Sequence, residues 1–451
     1  MPGRFDSRIL HMGLLSKPLD DFERTILEFQ PDYLVMTTLT PEISFMGSLV
    51  RVAKRALPHS RVLLGGPYAS AMPSHAARQW GIDAVGIGEG DETIVELLDA
   101  FEGNGEIEKV KGIAFAENGR IIKTETRSPI WDINTLPMPA WDLIDLEPYA
   151  TAPNMSNSLK GRNYASLFTS RGCPYNCIYC HSIYNKRFRG RSADLVLAEM
   201  TYLHEKYGID EFHIMDDIFN FNRKRMYRIC QGIIDSGMKL YISFPNGIRT
   251  DLLKTEDIDI LEKAGVYKLK FAIETRSERL QKAIRKNNKF KRIDPIIRYT
   301  SRSGIIASSF FMIGFPTETR EEMMRTIDYA VNSDLDAASF FQVIPYPGTE
   351  LWEWAFRENG HLADSFSFKP EHFHFSSGHS ATTDLCSRDL TYLVHTAYLR
   401  FYTKPGRLWR LFRKMPNRWL FLRSFFTMVK RFGKCCLRIP MSENWNIIME
   451  G

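Results

Sequence analysis

The residues best suited to chemistry are three cysteines, Cys173, Cys177 and Cys180, which are spaced C-x3-C-x2-C. They follow a strand-like run over residues 164–169 and a glycine turn. Cysteine thiolates at such spacings hold iron–sulfur clusters, and a [4Fe–4S] cluster usually takes four of them. Three thiolates leave one iron free for another ligand, and an open coordination position is typical of a catalytic metal centre.

Two other interpretations of the cysteines are less consistent with the sequence. A zinc site would need a fourth ligand such as His181, but zinc ligands usually come as two separated pairs. A disulfide with a spare thiol would suit a secreted protein, and we expect no secretory signal at this N-terminus. Reduced thiolates fit a reducing compartment, so a cytoplasmic protein is expected.

The segment 170–180 resembles the signature of the radical S-adenosylmethionine (SAM) enzymes. The resemblance implies that the fourth iron binds the amino and carboxylate groups of SAM. It also implies that an electron from the cluster cleaves SAM to methionine and a 5′-deoxyadenosyl radical. An external flavodoxin or ferredoxin would supply that electron, and Tyr179 would lie near the adenine.

The elements that must position these cysteines are six strands within residues 161–365, which alternate with helical patterns. This alternation predicts a (βα)6 partial barrel with its functional residues at the carboxyl ends of the strands. The strands are expected over residues 164–169, 211–215, 241–244, 268–273, 308–313 and 339–344.

Polar residues stand at several of these strand ends, and the resemblance implies that they bind SAM. Asp216 or Asp217 would receive the ammonium of SAM, and Arg249 would pair with its carboxylate, which a guanidinium can bind in bidentate fashion. Glu274 and Ser277 would lie against the ribose or the methionine portion. No residue stands out as a general acid or base.

Residues 1–125 also alternate strands and helices, which predicts a Rossmann-like parallel sheet. Segments 64–70 and 86–92 resemble the cobalamin-binding domain that precedes many radical SAM cores. Too few residues precede Ile9 for the family's first strand, so the sheet is expected to lack it. The motif D-x-H-x-x-G is absent. The resemblance implies cobalamin contacts at Thr38, Gly65, Gly66, Gly88 and Glu89.

Residues 126–160 form a proline-rich linker, and residues 366–451 are expected to be a mainly helical, basic extension. The net charge is +6, and residues 390–442 contain twelve Lys or Arg and no Asp or Glu. This aromatic-rich segment either packs on the barrel as a cap or lies on an anionic membrane surface. The second interpretation would place the protein at the inner face of the membrane. Nucleic-acid binding is less well supported.

The resemblance covers residues 9 to 405 and is closest to the branch with the anaerobic magnesium-protoporphyrin ester cyclase and the hopanoid and phosphonate methylases. It implies cobalamin-dependent methylation of an unactivated carbon in a small-molecule or lipid-like substrate. Alternatives are oxidative cyclisation or rearrangement without methyl transfer, and a non-catalytic binding protein with a vestigial cluster. Methylthiotransferases share the three-cysteine signature, but they need three further cluster cysteines in the N-terminal domain. No cysteine precedes Cys173, which argues against this class of enzyme.

Overall fold

Two main sheets, one in each half of the chain, organise the fold. The computed structural model describes residues 5–151, 159–358, 387–419, 422–423 and 426–427. The N-terminal strands are β1 (Tyr33–Thr37), β2 (Arg61–Gly65), β3 (Ala84–Gly86), β4 (Ile113–Glu117) and β5 (Arg120–Lys123). The helices between them are α1 (Pro18–Phe29), α2 (Ile43–Ala56), α3 (Gly66–Ala71), α4 (Pro73–Ala77) and α5 (Thr93–Asp99).

The N-terminal sheet combines a parallel part with an antiparallel hairpin. Its strand order is β1-β2-β3-β4-β5, and β1, β2 and β3 are parallel. The hairpin of β4 and β5 was not predicted from the sequence. Its turn at Asn118 and Gly119 has φ values of 49° and 75°, and positive φ at both turn residues is typical of a tight hairpin.

Strand β1 lies at the open edge of this sheet. Among the described residues from Phe5 onward, none before β1 forms a strand. Val35 in the middle of β1 is 59% exposed. The parallel part therefore consists of three strands, and glycine turns lie at the carboxyl ends of β2 and β3.

The second half of the chain builds a six-stranded parallel sheet and a small ribbon. The sheet contains β6 (Tyr164–Leu167), β9 (Glu211–Ile214), β10 (Tyr241–Ser243), β11 (Val266–Glu274), β12 (Ile306–Ile313) and β13 (Ala337–Gln342), and the ribbon pairs β7 (Ser170–Arg171) with β8 (Arg189–Gly190). The helices are α6 (Ala193–Tyr207), α7 (Arg223–Ser236), α8 (Thr255–Lys263), α9 (Glu278–Ala283), α10 (Phe290–Arg302), α11 (Arg320–Asn332) and α12 (Glu350–Glu358).

The strand order β13-β12-β11-β10-β9-β6 follows the chain, and all neighbours are parallel. This confirms the predicted partial barrel. In β11, Leu269, Phe271 and Ile273 are fully buried in the main core, where helices cover the outside of the sheet. Side chains alternate along a strand, so the residues between them face the barrel interior.

The described part of the basic extension contains two helices, α13 (Ser387–Tyr402) and α14 (Pro405–Lys414), which pack on the barrel. The hydroxyls of Tyr402 and Tyr398 accept hydrogen bonds from the backbone N–H groups of Ala338 and Phe340 on edge strand β13, at 3.0 and 3.1 Å. Arg407 is 4% exposed, and its guanidinium donates to backbone carbonyls of the barrel.

This part of the extension therefore packs as the cap interpretation predicts. The basic residues from Lys430 to Arg438 lie outside the described residues. None of the described helices has the length and apolar character needed to cross a membrane.

Candidate functional site

The three cysteines lie on the loop that joins β7 to β8, here called the cluster loop (residues 172–188). The two short strands pair antiparallel and close the base of this loop. At its first residue, Gly172, φ is +78°, and a Cβ would lie 2.3 Å from the carbonyl oxygen of Arg187. Only glycine fits such a position without displacing backbone.

The cluster loop opens into the barrel. A cavity of about 990 Å³ is lined by Cys173, Cys177 and Cys180 together with residues from the carboxyl ends of the barrel strands. The lining includes four of the predicted SAM-binding residues, namely Tyr179, Asp217, Arg249 and Glu274. Two others, Asp216 and Ser277, do not line it.

The cysteine arrangement suits an iron–sulfur cluster. Among the residues that the structure describes, no three His, Cys, Asp or Glu side chains converge on a point that could hold one metal ion. Thiolates bound to different irons of one cluster need no such convergence, and all three cysteines line the same cavity. Burial raises the pKa of Cys173 and of Cys180, and the ammonium of Lys286 opposes both shifts. That cation offsets the negative charge that a thiolate-bound cluster brings into the cavity.

Glu274, the last residue of β11, lines the cavity. Its φ is +68°, and the pairing of β11 with β12 shifts register at this point. The carboxylate accepts hydrogen bonds from the hydroxyl of Tyr179 and the ammonium of Lys286, each at 3.3 Å. Strained backbone of this kind is typical of ligand-binding positions. Lys286, which was not predicted, thus contacts a predicted SAM residue and lies near two cluster cysteines.

Asp217 and Arg249 are two further charged residues that line the cavity near the cluster loop. One oxygen of Asp217 accepts the N–H of Gly172 at 3.1 Å, which leaves the carboxylate at the cavity wall. Arg249 pairs with Asp251 at 2.8 Å, and its guanidinium stacks 3.8 Å from the ring centroid of Tyr175. Both side chains are therefore held in place in a cavity that must receive a zwitterion if SAM binds there.

Asp216 and Ser277 have structural partners instead. Asp216 accepts hydrogen bonds of 2.6 Å from the N–H and the hydroxyl of Thr169 and from the hydroxyl of Ser170. The hydroxyl of Ser277 donates to Glu322 at 2.5 Å and caps the N-terminus of α9. We therefore assign the predicted ammonium contact to Asp217 rather than Asp216, as a proposal.

The sequence analysis did not select several polar residues inside the barrel. His213 lines the cavity, bonds to Glu211 at 2.8 Å and stacks on Tyr164 with ring centroids 4.7 Å apart. The fully buried Glu211 also accepts the hydroxyl of Tyr267 at 2.6 Å. The pattern Glu-x-His in a strand places both residues on one face, and that signal could have identified the pair. Lys270 of β11 lines the same cavity.

The predicted cobalamin residues lie where β1, β2 and β3 end. Gly88 has φ of +80°, and no atom lies within 4 Å of a Cβ placed there, so the backbone faces open space. Ser70 donates to the carbonyl of Gly66 at 3.0 Å and accepts the N–H of Gly88 at 2.9 Å. An open, glycine-lined edge of this kind fits a large planar ligand. Four predicted residues belong to this edge: Thr38, Gly65, Gly66 and Gly88.

The fifth, Glu89, connects the two halves of the chain. Its carboxylate pairs with Arg171 at 2.9 Å and with Arg189. Asp91 also pairs with Arg171, at 2.7 Å. We call these four residues the domain latch. Arg171 and Arg189 face each other across the ribbon at the base of the cluster loop, so the latch fastens that loop to the N-terminal domain.

Comparison with known proteins agrees with this geometry. Residues 167–330 match the family model of the radical SAM superfamily, and residues 3–98 match that of the B12 binding domain. An uncharacterised methyltransferase of Pyrococcus horikoshii is 31% identical over 85% of this chain and 82% of its own length. The chain belongs to the cobalamin-binding branch of the radical SAM superfamily. The cofactors of this branch are those predicted above: a [4Fe–4S] cluster, SAM and cobalamin.

Other relatives include methyltransferases and cyclases. The cytidylyl-2-hydroxyethylphosphonate methyltransferase of Streptomyces wedmorensis is 27% identical over 78% of this chain and 71% of its own length. The anaerobic magnesium-protoporphyrin IX monomethyl ester cyclase of Cereibacter sphaeroides is 26% identical over 84% of this chain and 61% of its own length. The radical SAM methyltransferase TsrM of Kitasatospora setae, solved with cobalamin and a [4Fe–4S] cluster, has the same fold, with a TM-score of 0.61, 17% identity, and coverage of 75% of this chain and 67% of its own.

Proposed function

We propose that this radical SAM enzyme catalyses cobalamin-dependent methylation of an unactivated carbon in a small-molecule substrate. The observation that supports this most directly is that the predicted cofactor-binding edges of the two domains meet at one end of the barrel. The latch joins Glu89 to the base of the cluster loop. A Cβ at Gly348, beyond the end of β13, would lie 3.0 Å from the Cβ of Ala71 in α3. The glycine-lined edge therefore lies beside the mouth of the cavity.

Each part of the site has a role in this proposal. When bound, the cluster and SAM supply hydrogen abstraction from carbon, and cobalamin supplies the methyl group. Asp217 accepts hydrogen bonds from the ammonium of SAM, while Arg249 and Lys286 face its carboxylate. Glu274 orients the ribose, and Tyr179 covers the adenine. The barrel wall excludes water, which would otherwise consume a reactive species.

The experiment that tests the proposal is anaerobic reconstitution with iron, sulfide and hydroxocobalamin, followed by turnover with SAM and reduced flavodoxin. We expect the holoenzyme to retain a corrin and to form both 5′-deoxyadenosine and S-adenosylhomocysteine. Cys177→Ala should abolish deoxyadenosine formation. Cys230→Ala is the matched control, because Cys230 is buried in the core of the barrel domain away from the cavity.

A second candidate function is oxidative cyclisation, which the 26% identical cyclase favours. Tracing the labelled methyl group of SAM into product separates the two. Deoxyadenosine without S-adenosylhomocysteine, with every substrate tried, would contradict methyl transfer and favour cyclisation or rearrangement. A reconstituted protein with iron–sulfur absorption, no corrin bands and no SAM cleavage would contradict both and favour a binding protein with a vestigial cluster.

A further inference from the structure

Lys270 projects into the barrel from the middle of β11. Its neighbours Leu269 and Phe271 are fully buried against the helices, so alternation directs Lys270 to the interior, where it lines the cavity. It stands four residues before Glu274, which is roughly 13 Å of strand. The ammonium group therefore belongs to a deeper part of the cavity than the carboxyl-end residues assigned to SAM.

This ammonium has no carboxylate partner among the described residues. The cavity carboxylates are occupied elsewhere, since Glu274 pairs with Lys286 at 3.3 Å and Asp217 lies 3.4 Å from a ring nitrogen of His181. The ammonium of Lys270 lies over the ring of Phe310, 4.8 Å from its centroid. Burial lowers the pKa of Lys270 to about 8.

A partly buried cation without a countercharge is costly, because desolvation is not repaid by an ion pair. Proteins retain such groups where a ligand supplies the missing charge. The surrounding wall shows what else that ligand would meet. Phe310 lies beside Lys270, and its ring centroid is 5.8 Å from that of Phe341, while Ser339 and Tyr164 line the same cavity.

We propose that Lys270 binds an anionic group, a carboxylate or a phosphoryl or phosphonyl group, of a substrate whose apolar body packs on Phe310 and Phe341. The inference deepens the proposed function and rests on it for the identity of the site as a substrate site. With the anion held at this depth, the body of the substrate extends toward the cluster loop. The carbon to be methylated would then lie away from the anionic end.

The test is calorimetric titration of the reconstituted full-length protein with benzoate, phenylphosphonate and neutral benzyl alcohol. We expect at least one of the two anions to bind, and Lys270→Met to weaken that anion at least roughly tenfold, the usual effect of losing one charged hydrogen-bond partner. The alcohol should be unaffected by the substitution. Whether benzoate or phenylphosphonate binds more tightly distinguishes a carboxylate from a phosphonyl substrate.

Lys111→Met is the matched control, since it removes the same charge at a lysine whose side chain is 49% exposed. Equal anion binding by Lys270→Met and the wild type, or no anion binding by the wild type, would overturn the proposal. An equal loss of affinity for S-adenosylhomocysteine in Lys270→Met would also overturn it, because Lys270 would then bind SAM. Calorimetry measures binding without turnover, so the failure of anion binding and the failure of methyl transfer are two independent results.

Discussion

The domain latch gives a prediction with a calculable size. In Glu89→Gln the side chain keeps its shape but loses the charge shared by Arg171 and Arg189. The side chains of Glu89 and Arg189 are only 5% and 4% exposed. Removing one partner of a buried ion pair costs about 3–5 kcal/mol. Arg189 keeps the carbonyls of Ile130 and Tyr184 at 2.7 and 2.8 Å, so we expect the lower end, about 3 kcal/mol.

Urea unfolding, followed by circular dichroism, measures this loss as a shift of the midpoint at an unchanged slope. The matched control is Glu125→Gln in the same domain, whose pair with Lys111 is exposed and should contribute less than about 1 kcal/mol. A double-mutant cycle of Glu89→Gln with Arg189→Gln should show non-additive losses, because the two groups share one interaction. Additive losses, or a shift for Glu89→Gln no larger than for Glu125→Gln, would refute the reasoning.

Three further predictions concern other parts of the molecule. Gly172→Ala should lose most of its bound iron after reconstitution, because the added Cβ would strike backbone carbonyls. Gly237→Ala is the control, since Gly237 also has a positive φ but faces open space, and this variant should keep its iron. Equal iron contents in the two variants would contradict this prediction. Burial raises the pKa of Glu318 to about 8, so the stability that this carboxyl contributes is present below pH 4.5 and is lost as the pH rises through about 8. The melting temperature of Glu318→Gln should therefore fall less than that of the wild type over this range, and parallel profiles would contradict the assignment. Trp409 and Trp419 are 61% and 82% exposed, so the membrane interpretation of the basic extension predicts cosedimentation with anionic but not neutral vesicles, reduced by Trp→Ala changes at both positions.

The strands and the cluster loop were predictable because their signals are local. Cysteine spacing, a glycine turn and six runs of strand-forming residues need no knowledge of distant partners. The hairpin of β4 and β5 was missed although its Asn118-Gly119 turn is a strong local signal. The prediction assumed that strands and helices alternate throughout residues 1–125, but no helix separates β4 from β5.

Side-chain roles at the strand ends were harder to predict. The position of Asp216 at the end of β9 suggests a ligand-binding carboxylate, but Thr169 and Ser170, 47 and 46 residues earlier, fill its hydrogen-bonding capacity. Glu89 follows a glycine turn like a cofactor residue, yet its partners lie 82 and 100 residues away. Such pairings depend on how the two domains meet, which no local pattern records.

The contacts of Tyr398 and Tyr402 with β13 affect how the protein behaves when damaged. An edge strand with free N–H groups is a template for strands of other molecules, and the two hydroxyls occupy two of those groups. Detachment of α13 would expose this template beside the aromatic ring of Phe340, which Tyr398 contacts edge-on. The helix therefore protects an edge that could otherwise pair with another molecule.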